Sequence, residues 1–251
     1  MLDLITPLIL TCNEVANLPR TLKALHWARR IVVVDSGSTD GTLEILREDP
    51  RIEIYYRAFD TFADQCAFGL GLIQTQWVLS LDADNVVTDE LIGEISRCNP
   101  EDFDGWVGPY RYCIEGRPLR GSLFPPRVLL FRADRGVYEN DGHGHHVRIV
   151  TGRVGRLRFP ILHDDRKPLD RWLASQVKYS AQESCKLLAT SWGELNWADR
   201  LRRCYLGPLL IVPFCLFAKG LVLDGRAGLA YTAQRLVFEV LLVLRLLHAK
   251  L

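Results

Sequence analysis

In 251 residues the 31 lysines and arginines and the 30 aspartates and glutamates almost cancel, to a formal net charge of +1. That balance excludes a chain that holds nucleic acid through bulk positive charge. Seven cysteines are scattered from Cys12 to Cys215 without close pairing, which suits neither a disulfide scaffold nor a Cys-type zinc site and points to a reducing cytosol. The length accommodates one large α/β domain, or one such domain plus an appendage. The N-terminus runs straight into a strand-like segment, with no basic n-region and no cleavable apolar stretch.

In chain order, Thr6–Thr11 is short, apolar and β-rich, a first buried strand that empties into Cys12-Asn13-Glu14. Asn17 is placed to cap a helix with Pro19 in its first turn and Leu18, Leu22 and Leu25 on one face. Ile31–Val34, a run of β-branched residues, ends in Asp35-Ser36-Gly37-Ser38-Thr39-Asp40-Gly41-Thr42. Ser38 or Asp40 is expected to cap the helix carrying Leu43 and Leu46. Ile52–Tyr56 is a third strand, and Asp60 or Thr61 opens a helix reaching about Ile73. Trp77–Leu81 then reads as a buried strand bounded by polar residues. It ends in Asp82 and Asp84, with a turn at Ala83 that lets the two carboxylates converge. Thr88 starts a further helix through Leu91, Ile92 and Ile95.

The order βαβαβαβ, with strands about thirty residues apart, predicts a mainly parallel sheet covered by helices on both faces. Strands one, two and four each end in a carboxylate: Glu14, Asp35, and Asp82 with Asp84. In open α/β sheets ligands sit at that edge. Two hard oxygen ligands there suit a divalent cation that keeps several waters and also binds a diphosphate.

After Pro100 the rhythm changes. Trp106–Ile114 and Arg127–Phe131 read as strands separated by a Gly/Pro/Arg loop, with Arg127 and Arg132 as surface charges, Arg127 within reach of a diphosphate. Residues 138–146, YENDGHGHH, are polar and Gly-containing and read as an irregular loop. Short strand-like pieces follow at 148–150, 154–157 and 159–162, closed by His163-Asp164-Asp165-Arg166-Lys167-Pro168. A helix is expected from Leu169 to about Leu188. There are no internal repeats.

Neither GxGxxG nor GxxxxGK[ST] is present in the first half, so the dinucleotide fingerprint and the P-loop are both missing. Instead TCNE after strand one, VVDSGSTDGT after strand two and LDAD after strand four, taken together, resemble the inverting family 2 glycosyltransferases of the GT-A fold. The resemblance covers residues 1 to about 165 and is nearest to bacterial members that build lipopolysaccharide core and other envelope glycans. It implies a GT-A, Rossmann-like mixed sheet with a helical apolar C-terminal extension. It also implies a nucleotide-sugar donor, a UDP-hexose, bound by Thr11, Asn13, Glu14, Asp35, Ser36, Asp40, Asp82 and Ala83. Glu14 and Asp35 would hold the uridine end, Asp82 would lie near the ribose and diphosphate, and Asp84 would ligate Mg²⁺ or Mn²⁺. Many relatives continue this motif with Glu, where this chain has Asn85.

Displacing a nucleoside diphosphate puts negative charge on the leaving phosphates, which a divalent ion stabilises. Inversion further needs a base near the acceptor hydroxyl. The candidates form one cluster: Asp141 as base, with His143 and Glu139 beside it and His145 and His146 following. Relatives often carry His-Glu at the end of this loop, so the base does not transfer by motif. His163 is a further candidate metal or diphosphate contact, with Arg166 and Lys167 facing phosphate. A nucleotidyltransferase also uses acidic strand ends but needs a Gly-rich basic loop after strand one, which TCNEVAN lacks. A catalytically degenerate binding module of the same fold is the non-enzymatic alternative.

Apolar residues crowd the last fifty positions. Tyr205–Leu223 is broken by Pro208, Pro213, Lys219 and Gly220, short of the ~20 uninterrupted apolar residues of a spanning helix. In Leu229–Leu247, Arg235 and Glu239 are expected to share a polar stripe opposite Leu236, Val240, Val243 and Leu247, which suits a helix lying in a bilayer interface. The expected organisation is a catalytic domain at 1–168, with a nucleotide-sugar half at 1–98 and an acceptor half at 99–168, followed by a membrane-associated helical region at 169–251. The expected location is the inner face of the cytoplasmic membrane, with a glycan or lipid-linked acceptor and no nucleic acid partner.

Overall fold

The computed structural model describes residues 1–141 and 144–249, without the side chains of residues 141, 144 and 145. Two compact units result. The first comprises Met1–Cys113 and Phe124–Arg166, and the second Ile114–Leu123 and Lys167–Leu251.

The first unit begins with β1 (Ile5–Thr11), α1 (Leu18–Ala24), β2 (Ile31–Asp35), α2 (Thr42–Arg47), β3 (Ile52–Tyr56), α3 (Phe62–Leu70) and β4 (Trp77–Asp82). It continues through β5 (Asn85–Val87), α4 (Asp89–Arg97), β6 (Gly105–Gly108) and β7 (Tyr110–Ile114). After β8 (Arg117–Pro118), which belongs to the second unit, come β9 (Arg127–Arg132), β10 (Gly136–Asp141), β11 (Gly144–Ile149), β12 (Val154–Arg156) and β13 (Ile161–His163). The main sheet has the order β12-β6-β9-β4-β1-β2-β3. Its strands run parallel except β9, which is antiparallel to both β4 and β6. A mixed, mainly parallel sheet is therefore present as expected.

The side-chain period of two sorts the strand residues between two cores. Ile9, Val33 and Leu79 face Leu18, Leu22, Leu91 and Ile95 of α1 and α4. Leu8, Val32, Val34 and Val78 face Ala63 and Cys66 of α3, together with Tyr138 and Val147. That second group corrects the sequence-based expectation for residues 138–146. Residues 138–141 and 144–146 are not irregular but lie on the two strands of an antiparallel hairpin, in which Tyr138 pairs with Val147 and Glu139 with His146. Its buried side chains alternate with polar ones, so one face covers the sheet beside α3.

Other local differences have local causes. The expected strand 106–114 is two strands, interrupted at Pro109, which has no N–H to donate. Helix α2 is preceded by Gly41 at φ 94, and neither Ser38 nor Asp40 is its N-cap residue. Asn17 occupies the N-cap position of α1 but its side chain makes no capping bond, being engaged elsewhere. Thr61 and Thr88 cap α3 and α4 as expected, accepting from the N–H groups of Asp64 and Leu91.

The second unit contains β8, α5 (Leu169–Ala189), α6 (Trp197–Arg203), α7 (Gly207–Pro213) and α8 (Gly225–His248), with a π turn at Phe214–Ala218 and a 3-10 turn at Leu221–Asp224. Leu187, Leu195, Phe238, Leu242 and Leu246 form its core. Glu239 is not on a solvent-facing stripe with Arg235. It is 2% exposed and accepts from Arg202 Nε and Nη2 at 3.0 and 2.8 Å. Asp199 and Glu183 approach the same guanidinium at 3.3 and 3.8 Å. The segment Leu221–His248, with mean hydropathy 1.4 over its most apolar window, is long and apolar enough to cross a membrane. Its Glu239–Arg202 pair and the bonds from Arg245 to Ser180 Oγ and the Val177 carbonyl tie it to α6 and α5.

Candidate functional site

From β1 the chain adds β2 and β3 on one side and then returns to place β4 on the other. The carboxyl ends of β1 and β4 thus flank the point where strand order reverses, the position at which open α/β sheets bind ligands. In register, Leu10 lies beside Asp82 and Thr11 beside Asp35.

The loops after β1 and β2 are stitched to each other. Asn13, at φ 59, donates its N–H to Ser38 Oγ at 2.7 Å, and its side-chain oxygen accepts from the Thr39 N–H at 2.7 Å. A left-handed backbone is one that Asn tolerates better than most residues. The Glu14 N–H donates to Thr42 Oγ1 at 2.7 Å. Asp40 accepts from the Val15 N–H and from the N–H and hydroxyl of Thr42. Partial burial opposes ionisation of Asp40, yet these bonds hold its carboxyl below the ordinary range.

Asp35 is 1% exposed. Its Oδ1 accepts from Thr11 Oγ1 at 3.0 Å and Ser38 Oγ at 2.5 Å, and its Oδ2 from the N–H groups of Gly37 and Ser38, each at 2.8 Å. Four donors from its own surroundings make Asp35 the anchor of the turn that starts at Ser36. Ser36 Oγ itself accepts from Gln65 Nε2 at 2.8 Å. The Asn17 amide donates to Glu14 Oε2 at 2.9 Å and to Asp165 Oδ1 at 2.8 Å, joining the first loop to the segment after β13.

The turn between β4 and β5 is fixed from several sides. Thr21 Oγ1 donates to the Ala83 carbonyl at 2.7 Å, and the Asp164 N–H to the Asp84 carbonyl at 3.0 Å. Asn85, fully buried, donates its amide to Asp84 Oδ1 at 2.8 Å and accepts from the Asp82 N–H at 3.3 Å. His163 reaches this turn because β13 pairs antiparallel with β5, His163 opposite Asn85. Its Nδ1 lies 3.1 Å from Asp84 Oδ1, and its ring packs on Tyr112 and Phe124 at centroid distances of 5.0 and 5.1 Å. Burial disfavours the imidazolium, but the neighbouring Asp84, with Asp82 and Asp165, outweighs it and raises the His163 pKa.

Asp82 differs from Asp84: among the described residues its carboxylate accepts no hydrogen bond. It lines an open cleft with Ser80, Tyr110, Arg127, Val128, His146 and Val147. The Arg127 guanidinium lies 4.6 Å from the Phe124 ring centroid. Burial, reinforced by the Asp82 charge, pushes the Tyr110 phenol upward, so it stays a neutral donor. Tyr138 Oη donates to Ser80 Oγ at 2.8 Å and holds the hairpin to the end of β4.

Of the expected site residues, Thr11, Asn13, Glu14, Asp35, Ser36 and Asp40 lie in one hydrogen-bonded pair of loops. Asp82, Ala83, Asp84 and His163 lie around one turn. Glu139 accepts from Arg148 Nε at 2.5 Å and lies 3.1 Å from His146 Nε2. The Arg148 guanidinium holds its carboxyl below the usual range. The Asp141 side chain and His143 lie outside the described residues. Among those described, no three His, Cys, Asp or Glu side chains form a metal-binding group. Arg127, more than a surface charge, enters the site through the antiparallel β9, Tyr110 through β7 and His146 through the hairpin. Asn17 and Thr21 enter through a helix face that in sequence reads as ordinary packing.

Residues 8–153 match the model of the family described as Glycosyl transferase family 2. Over 188 residues the chain is 29% identical to the lipopolysaccharide core biosynthesis glycosyltransferase LpsC of Rhizobium meliloti, covering 68% of this chain and 67% of that protein. It is 32% identical over 92 residues to an uncharacterized glycosyltransferase of Rickettsia bellii, 36% of this chain and 31% of that protein. Among solved structures it resembles S. aureus TarS 1-349 in complex with UDP-GlcNAc, at 12% identity and a TM-score of 0.54, over 98% of this chain and 92% of that one. It also resembles the mannosyltransferase PcManGT of Pyrobaculum calidifontis in complex with GDP-Man and Mn²⁺, at 14% identity and a TM-score of 0.54, over 98% and 88%. At such identities the structural likeness establishes the GT-A fold alone. The family match, which takes in more than half of the residues and every strand-end motif after β1, β2 and β4, identifies the chain as a glycosyltransferase that belongs to glycosyl transferase family 2.

Proposed function

We propose that this chain moves a hexose, with inversion, from a nucleoside-diphosphate sugar, most simply a UDP-sugar, to a glycan or lipid-linked acceptor in bacterial envelope synthesis. One observation carries the reading: Asp82 opens into a cleft with Arg127 and Tyr110 at the strand-order switch point, beside the joined loops after β1 and β2. The likeness to LpsC supports the acceptor class, and the nucleotide-sugar complexes of TarS and PcManGT support the donor class.

In this reading Thr11, Asn13, Glu14, Ser36 and Asp40 shape the nucleoside end, with Asp35 holding their turn. Asp84, with Asp82 and His163, would hold Mg²⁺ or Mn²⁺. One or two carboxylates suffice for an ion that also takes diphosphate oxygens and waters, so the donor set fits although no three such side chains cluster among the described residues. When bound, the ion supplies positive charge against the leaving diphosphate. Arg127 adds a fixed cation on the same side. The acceptor oxygen bonds to the anomeric carbon as the bond from that carbon to the phosphate oxygen breaks, and the acceptor proton passes to Asp141. His143 assists. Glu139, kept ionised by Arg148, is a weaker base than an unpaired carboxylate. Residues 1–168 carry the chemistry, and 169–251 hold the enzyme at the cytoplasmic face of the membrane.

Incubation of the full chain with a panel of nucleotide-sugars tests this. One UDP-hexose is expected to be hydrolysed slowly to UDP and sugar, with loss of turnover in EDTA and its recovery on adding Mn²⁺. Asp141→Asn should lower turnover about 10²–10⁴-fold with little change in donor affinity. If no nucleotide-sugar is hydrolysed and UDP does not bind with Mn²⁺ present, the reading fails.

A further inference from the structure

In the helical unit, the run from Leu206 through the π turn exposes apolar side chains on one side at helical spacing. Leu206, Leu209, Leu210, Phe214 and Phe217 fall at i, i+3, i+4, i+8 and i+11, and all are exposed, Leu209 and Phe217 each by 72%. Ile211 and Cys215, four residues apart on the other side, are buried, and this run packs on α8. The 3-10 turn that follows adds Leu223, 68% exposed. A helix apolar on every side is ordinarily buried on every side, and contiguous exposed apolar surface marks an interaction site.

The charges around this hook are of one sign. From Arg200 to Arg226 the chain has five cations (Arg200, Arg202, Arg203, Lys219 and Arg226) and one acid, Asp224. Arg202 is turned inward onto Glu239, and Asp224 lies 3.3 Å from Arg120 Nε. Lys219 Nζ sits 5.6 Å from the Phe214 ring centroid, which sets a cation beside the apolar side. A second copy of this chain docked through a two-fold contact would bring the same basic margins together. An anionic surface with an apolar interior complements both features at once.

We propose that the hook Leu206–Leu223 inserts Leu209, Phe217 and Leu223 into the acyl–headgroup boundary of a bilayer containing anionic lipids, with Lys219 and Arg226 at the headgroups. The inference deepens the membrane attachment proposed above and names the element responsible. Helix α8 is the support rather than a span, because crossing would require Glu239 and Arg245 to leave their partners on α6 and α5. Pro208, Pro213 and Gly220 break the hook too often for it to cross.

The test is flotation of the full chain with vesicles of phosphatidylglycerol and phosphatidylethanolamine, against vesicles of phosphatidylcholine alone. The protein should float with the anionic vesicles and weakly with the neutral ones. Leu209→Gln with Phe217→Gln should lower the partition coefficient at least tenfold, and Lys219→Gln with Arg226→Gln should remove the preference for anionic vesicles. Solution hydrolysis of the donor should be unchanged in both variants, so absent hydrolysis with intact flotation would count against the glycosyltransferase reading alone. Wild-type protein that floats with neither vesicle, or a hook variant that floats like wild type, would overturn the proposal. A wild-type dimer in light scattering that the hook variant makes monomeric, without vesicle binding, would assign the face to a second copy instead.

Discussion

Replacing Asn85 by aspartate places a carboxyl where an amide now donates to Asp84 Oδ1 at 2.8 Å. Two ionised carboxylates at that distance repel by about 6 kcal/mol at an effective dielectric near 20. The introduced group escapes by taking up a proton, which at pH 7.5 costs about 5 kcal/mol for a carboxyl of ordinary pKa near 3.9. Its O–H then remakes the bond to Asp84, and His163, whose Nδ1 lies 3.3 Å from the present amide, offsets part of the cost. A net loss of about 2–4 kcal/mol at pH 7.5 is expected, which for a chain of this size lowers the melting midpoint on the order of 10 °C. The pH dependence fixes the cause. The folded-state pKa of the new group lies above its unfolded value, so the deficit is absent near pH 4 and grows as pH rises to the folded pKa. Thermal unfolding of the variant and the wild type in EDTA at pH 5 and pH 7.5 measures it. An equal drop at both pH values, or none at pH 7.5, would refute the account of the Asp82–Asn85 turn.

Asp84→Ala should abolish the Mn²⁺-dependent part of UDP binding in calorimetry while moving the midpoint less than Asn85→Asp does, since a turn carboxylate supports little core. Gly69→Ala would place a Cβ 2.4 Å from Leu8 Cδ1 and 3.0 Å from Val34 Cγ2, under α3. Overpacking there should destabilise by about 1–3 kcal/mol, visible as a lower midpoint without loss of α-helical circular dichroism at 20 °C. Arg202→Met leaves Glu239 and Asp199 buried without the guanidinium. It should cost about 3–5 kcal/mol near neutral pH; equal unfolding midpoints for variant and wild type would disprove it.

The strands that form the sheet centre were legible because a strand buried on both faces is a nearly continuous apolar run. Ile31–Val34 and Trp77–Leu81 read that way, and the Asp35 and Asp82 that follow marked the edge where the site lies. The caps at Thr61 and Thr88 were legible because capping is a local exchange between neighbouring residues. The hairpin of residues 136–149 was not, because only one face is buried and the other carries Glu139, His146 and Arg148. The alternation of Tyr138 with polar neighbours and the Asp141-Gly142 dipeptide were the available signals. Strand β5, at three residues, is too short to show a period.

The sequence by itself determined the alternating α/β order, the acidic strand ends and the family to which they point, because those features depend on residues close together in the chain. Only the tertiary structure decided which distant groups meet. Asn17 bonds Asp165 from 148 positions away, His163 reaches Asp84 across an antiparallel pairing with β5, and β9 delivers Arg127 to the Asp82 cleft. Glu239 looks like half of a helical surface pair in sequence and is in fact a buried partner of Arg202, 37 residues away. A charge spaced i,i+4 from another has a helical neighbour in any case; whether it faces solvent depends on which element packs over it, and that is settled by the surfaces the rest of the fold leaves uncovered.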